Sequence, residues 1–409
     1  MTMRKQAEHI MNSAITAVLP DAAVIRALEN QNFSGRMILV AAGKAAWQMA
    51  KAAHDYLGEK IDAGIVITKY DHVKGPIGNL VCYEAGHPIP DENSFVATQA
   101  ALDLVADLTE QDTVLFLLSG GGSALFEKPL VSGEELQDIT AQMLASGADI
   151  VEMNTIRKRL SAVKGGRFAL ACAPAKVFSI VLSDIIGDPL DMIASGPAYP
   201  DSSTCAMAKQ IVEKYALRLS PEAMACLEEE TPKELSNVTT QITGSVSQLV
   251  VAAATAAEEL GYETHILTDQ LNCQAREAGA FMASIAKTHS GNGKRMAFLA
   301  GGETVVKLTG SGLGGRNQEL ALSAAIGIDG LENVCVFSIG SDGTDGPTDA
   351  AGGYVDGRTA QQLRDQGIGI YDALQNNDAY HALQKVDGLI VTGPTGTNVN
   401  DVAVLLIDS

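Results

Sequence analysis

Three stretches of this sequence place glycines and cations where an anion can be met. The first is Met296–Gln318, MAFLAGGETVVKLTGSGLGGRNQ, in which Gly310, Gly312, Gly314 and Gly315 lead into Arg316 and Asn317 at the start of a helical pattern. Glycines let the backbone bend sharply and come close to a ligand. Amides at a helix start can face an anion, and an arginine adds a planar, always-charged fork. That combination suits phosphate handling; the plain alternative is a flexible loop with a solvated arginine. The second stretch is Ser119-Gly120-Gly121-Gly122-Ser123, directly after the apolar run Thr113–Leu118. Successive glycines there favour an anion-binding nest of amides, for a nucleotide or substrate phosphate. The third is Gly43-Lys44, between the apolar run Arg36–Ala42 and the helical AAWQMAKAAHDYL. A lysine at the positive end of a helix costs roughly 0.3–1 kcal/mol unless an anion meets it. GxxxxGK[ST] is absent throughout, so none of these is a Walker A loop.

Carboxylates follow two further strand-like runs. Val177–Leu182 ends at Ser183-Asp184-Ile185-Ile186-Gly187-Asp188, and Asn333–Ile339 ends at Gly340-Ser341-Asp342-Gly343-Thr344-Asp345. Open α/β sheets place catalysis and metals just past the C-terminal ends of their strands. Asp184 and Asp188 can share a Mg²⁺, which takes few protein carboxylates and keeps waters and phosphate oxygens. Asp184 can instead take a proton from a hydroxyl, Asp188 can cap a helix, and Asp342 is an alternate for either role. Arg157, Ser161 and Lys164 fall on one face of a helix and can converge on an acidic ligand, or form a solvated basic face. His87, in the proline-braced loop after Leu80–Glu84, reads as pinning its loop rather than as a ligand or proton carrier. The polar loop Thr392–Asp401, between the runs Leu389–Val391 and Val402–Ile407, is either a ligand contact or a simple hairpin connection.

These groups need a frame. Helical patterns at 4–19, 21–30, 94–108, 134–145, 247–260 and 275–288 alternate with strand-like runs, which predicts an α/β fold with a mostly parallel sheet. Runs Met296–Ala300 and Thr304–Leu308 are expected to be paired strands around Gly301-Gly302-Glu303. The chain's 409 residues accommodate two domains, expected at 1–240 and 241–409, the polar stretch 201–240 being helical periphery. Twenty-nine Lys and Arg against 49 Asp and Glu give a net charge of −20, unsuited to nucleic acid or an anionic membrane. Six scattered cysteines without a CxxC read as reduced thiols of a cytoplasmic protein. The N-terminus lacks the apolar core of a signal peptide.

Taken together, AAGKAAWQMA, GHPIPDENS, LLSGGGSALFEKP, NTIRKRLSAVKGGR, LSDIIGDPLDMIASGP, AGGETVV, GLGGRNQELAL, SDGTDGPTDAAGG and TGPTGTNVND resemble, in order, the class II glycerate kinases. These are the glycerate 2-kinases whose C-terminal region is called the MOFRL domain. The resemblance implies a Rossmann-like large domain and a smaller α/β domain with the site in the cleft between them. It implies transfer of phosphate from ATP, with Mg²⁺, to the 2-hydroxyl of D-glycerate, and essential cations at Lys44 and Arg316. In this reading Ser119–Ser123 with Gly312, Gly314 and Gly315 hold ATP phosphates, and Arg157, Lys164 and Asn317 hold glycerate. Asp184 is base or metal ligand, with Asp188 and Asp342 beside it. The protein is expected to act on a small molecule as a monomer or homodimer. Some members carry the name hydroxypyruvate reductase, and Gly310-Ser311-Gly312-Leu313-Gly314-Gly315 does satisfy GxGxxG. The next acidic strand end, however, comes about thirty residues on rather than about twenty. A small-molecule sensor, the third class considered, would not need strand-end carboxylates and paired cations.

Overall fold

A computed structural model of the chain describes residues 1–408 apart from Asp184, Ile186 and Asp188; the expectations placed on Asp184 and Asp188 lie outside the described residues. Two six-stranded sheets organise the fold. The first takes β1 (Met37–Ala42), β2 (Ala63–Lys69), β3 (Leu80–Ala85), β4 (Thr113–Leu118), β5 (Lys176–Leu182) and β6 (Val238–Gly244) in the order β3-β2-β1-β4-β5-β6. The pairings β3-β2, β2-β1, β1-β4 and β4-β5 are all parallel. Every residue of β1 and β4 is buried, as expected of strands covered on both faces. β6, VTTQITG, was not legible in the sequence: it is polar and largely half-buried at the sheet edge, so no apolar run announces it.

The second sheet has the order β11-β10-β9-β12-β8-β7, from β7 (Glu263–Leu271), β8 (Met296–Gly302), β9 (Val334–Gly340), β10 (Gly352–Asp356), β11 (Leu389–Ile390) and β12 (Asp401–Ile407). Only β7-β8 is parallel; β8-β12, β12-β9, β9-β10 and β10-β11 are antiparallel. Two sequence expectations fail here for one reason. β8 already has neighbours on both sides, so Thr304–Leu308 has no edge to join. It is not a strand: Val305 alone bridges Gln274 and Leu308 is 81% exposed. Likewise β11 joins β10 while β12 inserts between β9 and β8, so Thr392–Asn400 is not a hairpin turn.

The compact units do not follow the chain in two simple halves. Ala23–Ser183 and Asp188–Thr243 form one unit, while Met1–Ala22 and the short stretch Asp184–Gly187 belong with Gly244–Ser409. The N-terminal helix Met3–Ala17 buries Ala7, Ile10, Met11 and Ala14 in the same core as Leu249, Val250 and Ala253 of helix Val246–Glu259 and Leu299 of β8. The remaining helices fall near their expected positions: Glu92–Val105, for example, starts at Asp91, whose carboxylate accepts the Ser94 amide in a capping box. Among the described residues no single helix is long and apolar enough to cross a membrane, and all six cysteines are free.

Candidate active site

In the first unit, two strand ends make one corner. β1 runs into Gly43-Lys44 and β4 into Ser119-Gly120-Gly121. The Ser119 amide donates to the Ala42 carbonyl at 3.0 Å, the Lys44 amide to the Gly120 carbonyl at 2.9 Å, and the Ala45 amide to Ser119 Oγ at 3.1 Å. The loops touch so closely that a Cβ at Gly43 would lie 2.2 Å from Ser119 Oγ. Gly121 has φ +84°, a left-handed conformation that glycine adopts without strain. Among the described residues the Gly120 and Gly121 amides make no hydrogen bond. The Lys44 side chain beside them is exposed and has no partner among the described residues. The amides and the cation that the sequence singled out thus lie side by side at these two strand ends.

The basic segment behind this corner differs from expectation. Helix Ile150–Arg159 is capped at Leu160, so Ser161 and Lys164 lie beyond it and share no helical face with Arg157. Lys164 is fully buried; its Nζ sits 2.8 Å from Glu127 Oε2 and donates to the Phe126 carbonyl at 2.9 Å. Burial pushes its pKa down to about 8 against the pull of Glu127. Lys164 is therefore a paired core cation and not an open anchor for a substrate carboxylate. Lys158 and Arg159 are buried too, around Asp201, which also overturns the solvated-face alternative. Arg157 is half-buried, donates from Nη2 to the Ser123 carbonyl at 3.2 Å, and leaves its buried Nε unpartnered. Ser123 Oγ stands 3.4 Å from Ser195 Oγ, which donates to Asn154 Oδ1 at 2.8 Å. Ala194 and Ser195 hold φ of 50° and 60°, and strain of this kind collects at working sites. The sequence reading did not single out Ser195 or Asn154.

In the second unit, Arg316 opens helix Arg316–Gly327 and is already held. Its Nε and Nη2 clasp the two Asp401 oxygens at 2.5 and 3.0 Å, and Nη1 reaches Glu303 Oε1 at 2.8 Å. Topology explains the meeting: Asp401 starts β12 directly between Gly302 at the end of β8 and Gly340 at the end of β9. Burial opposes the Arg316 charge, but the bonded Asp401 and then Glu303 raise its pKa further. Burial raises Asp401, against the lowering by Arg316. The anion at this helix start is Asp345. Its carboxylate accepts the Asn317 amide at 3.1 Å and the Gln318 amide at 2.9 Å. Burial pushes the Asp345 carboxyl up to about 7 despite those bonds.

The glycine-rich loop before the helix is spoken for as well. The Gly312 amide donates to the Asn376 carbonyl at 2.8 Å, the Thr309 and Gly310 amides to Asn377 Oδ1, and the Leu313 amide to Asp378 Oδ1. A Cβ at Gly312 would stand 2.4 Å from Asp378 Cβ, and one at Gly315 would stand 2.3 Å from the Asp345 carboxylate. These glycines admit protein rather than phosphate, so the Gly312 amide is not open for the phosphate contact expected of it. At Gly314 and Gly315 no amide bond is made among the described residues, but the Asp345 carboxylate already lies against Gly315. Asn317 is buried, with Nδ2 on Asp345 and Oδ1 accepting from Ser338, leaving neither end for a substrate. Asp342 is half-buried and its Oδ1 accepts the Thr344 amide. A Cβ on Gly340 would lie 3.2 Å from Asp342 Oδ1 and 3.5 Å from Asp401 Oδ1, so these two carboxylates face one point. Among the described residues no three His, Cys, Asp or Glu side chains gather as a metal cage. Glu303, Asp345 and Asp401 received no role from the sequence, although a fork like that of Arg316, once buried, demands carboxylate partners.

Residues 6–228 match the family described as Domain of unknown function (DUF4147), and residues 296–401 match the MOFRL family. The D-glycerate 2-kinase of Thermotoga maritima is 54% identical over 99% of both chains. The chain belongs to the glycerate 2-kinase family. A crystal structure of the Thermotoga maritima glycerate kinase superposes with a TM-score of 0.96 over 99% of each chain. The glycerate 2-kinase of Pyrococcus horikoshii is 39% identical over 100% of this chain and 98% of its own. An Agrobacterium vitis relative, 40% identical over 91% of this chain and 100% of its own, carries a provisional hydroxypyruvate reductase name. Membership accounts for the α/β architecture and the MOFRL region that the motifs foretold.

Proposed function

We propose that the protein transfers a phosphoryl group from ATP to the 2-hydroxyl of D-glycerate, giving 2-phospho-D-glycerate and ADP. The observation that carries this reading is the corner at Lys44 and Ser119–Gly121, where amides and a cation without partners among the described residues meet in a member of the glycerate 2-kinase family. Phosphoryl transfer needs mainly positioning and charge stabilisation. The Gly120 and Gly121 amides bind phosphate oxygens, and Lys44 neutralises charge building on the transferred group. Arg316 is the second cation, held to one orientation by Asp401 and Glu303. Arg157 anchors the glycerate carboxylate; an anchor at carbon 1 brings the 2-hydroxyl closer than the 3-hydroxyl. Asp184, with Asp188 and Asp342 as its alternates, is the proposed carboxylate for a Mg²⁺ ion that completes its shell with water and phosphate. Bound there, the ion would neutralise phosphate charge. Asp184 is alternatively the base that receives the hydroxyl proton. The setting is cytoplasmic, with a small-molecule substrate and no nucleic acid or membrane partner.

The reductase reading fails on the loop that prompted it. A dinucleotide fingerprint needs a strand, a tight glycine turn and a helix start open to pyrophosphate. Here β8 ends at Gly302, the loop amides are bonded to Asn376–Asp378, and the Asp345 carboxylate fills the helix start. One assay separates the classes: purified protein with D-glycerate and ATP·Mg²⁺, beside hydroxypyruvate and NADH. Phosphorus NMR is expected to show 2-phosphoglycerate as the product. Mainly 3-phosphoglycerate would remove the Arg157 anchor, and NADH oxidation without ATP would remove the kinase reading.

A further inference from the structure

His87 was expected to pin its loop, and the structure gives that task to others. Asp91 caps helix Glu92–Val105, takes the Tyr70 hydroxyl at 2.6 Å and is backed by Asn93, which donates to the Tyr70 hydroxyl and the Glu84 carbonyl. Gln137 holds the Pro90 carbonyl. The half-buried imidazole of His87 makes no hydrogen bond among the described residues. It is nonetheless closely placed: a Cβ on Gly121 would stand 3.0 Å from His87 Nε2 and Cδ2 and 3.2 Å from Lys44 Cγ. An unspent ring nitrogen thus adjoins the unspent amides and the unspent lysine. The groups acting on the ring are Lys44, Lys69 and His72, all cationic or neutral, and burial followed by these charges lowers its pKa. The lowered pKa favours the neutral ring, which can offer one N–H.

We propose that His87 is a further ligand of the anion at this corner, donating from Nε2 to a phosphate oxygen of the nucleotide held by the Gly120 and Gly121 amides beside Lys44. The inference rests on the kinase reading and adds a specific contact to it. The reaction gains no proton step: the imidazole only binds.

Calorimetry with ATP and ADP on the full-length wild type, His87→Ala and His87→Gln tests it, with kinetics from pH 5.5 to 8.5. His87→Ala is expected to weaken ATP binding about tenfold, the scale of a hydrogen bond to a charged group, with KM for glycerate unchanged. His87→Gln, which keeps an N–H donor, is expected to recover most of the loss. Loss for ATP but not ADP places the contact on the γ-phosphate; equal loss places it on the α- or β-phosphate. Unchanged ATP affinity in His87→Ala, a His87→Gln variant as weak as His87→Ala, or a rise only in KM for glycerate would each overturn the proposal. A wild type that binds no ATP would overturn the kinase reading instead.

Discussion

Two glycine-rich loops, alike on paper, do opposite work. Ser119–Ser123 leaves the Gly120 and Gly121 amides open beside Lys44. Thr309–Leu313 gives its amides to Asn376, Asn377 and Asp378, and the helix that follows is met by Asp345. Glycine is required in both because something approaches the backbone closely. In one loop no described residue takes those amides; in the other the protein fills the space. Composition registers the requirement for closeness and is silent about which partner meets it.

The contrast can be broken in several ways. Lys44→Ala should cost most, about 10³-fold in kcat, since a cation acting on the transferred phosphoryl group supplies factors of that order. Its melting temperature should hardly move, because the side chain is exposed and has no partner among the described residues. A stable variant with near-normal turnover would take Lys44 out of the chemistry. Arg316→Lys keeps charge but loses the planar clasp on Asp401. A fall in kcat of at least about 10²-fold is expected in steady-state assays. Next come the glycines themselves. Gly121→Val should weaken ATP binding measured by calorimetry, since φ +84° and the approach to the amides both exclude a side chain. Gly312→Val should instead leave ATP affinity intact and lower stability by about 1–3 kcal/mol as it collides with Asp378. Reversed outcomes would exchange the roles of the two loops.

The smallest effect is a pH slope. Burial depresses Lys164 from 10.5 to about 8, so between those values the unfolded chain binds a proton that the folded chain lacks. Folding stability from this group therefore rises as pH climbs from about 8 to 10.5. Denaturant melts of the wild type against Glu127→Leu with Lys164→Met should show the slope in the first and not in the second. A shared slope would mean that Lys164 is not desolvated.

The strands with continuous apolar runs, β1, β4, β5 and β9, were legible because burial on both faces leaves no polar alternation to misread. β6 was not, since an edge strand with half-buried Thr and Gln carries no such run. That Lys44 and Gly120-Gly121 follow the ends of buried strands was legible from local position alone. Lys164 was misplaced because the helix was extrapolated about one turn past Leu160, where it stops. Asp345 and Asp401 lay hidden because their partners, Asn317 and Arg316, are 28 and 85 residues away in sequence, and only sheet order brings them together.

The N-terminal helix Met3–Ala17 shares its core with helix Val246–Glu259 and β8, while the intervening unit closes on its own residues. On a ribosome this makes the beginning of the chain wait for its end. The first helix emerges with Ile10, Met11 and Ala14 uncovered and cannot bury them until the segment from Gly244 on has been synthesised. The middle unit has every strand pairing of its own sheet before then, and so domain-wise folding during synthesis would begin in the middle of the chain. A truncated product ending near Thr243 would carry an orphaned apolar helix at its front, which a chaperone or a protease could recognise as the mark of an unfinished protein.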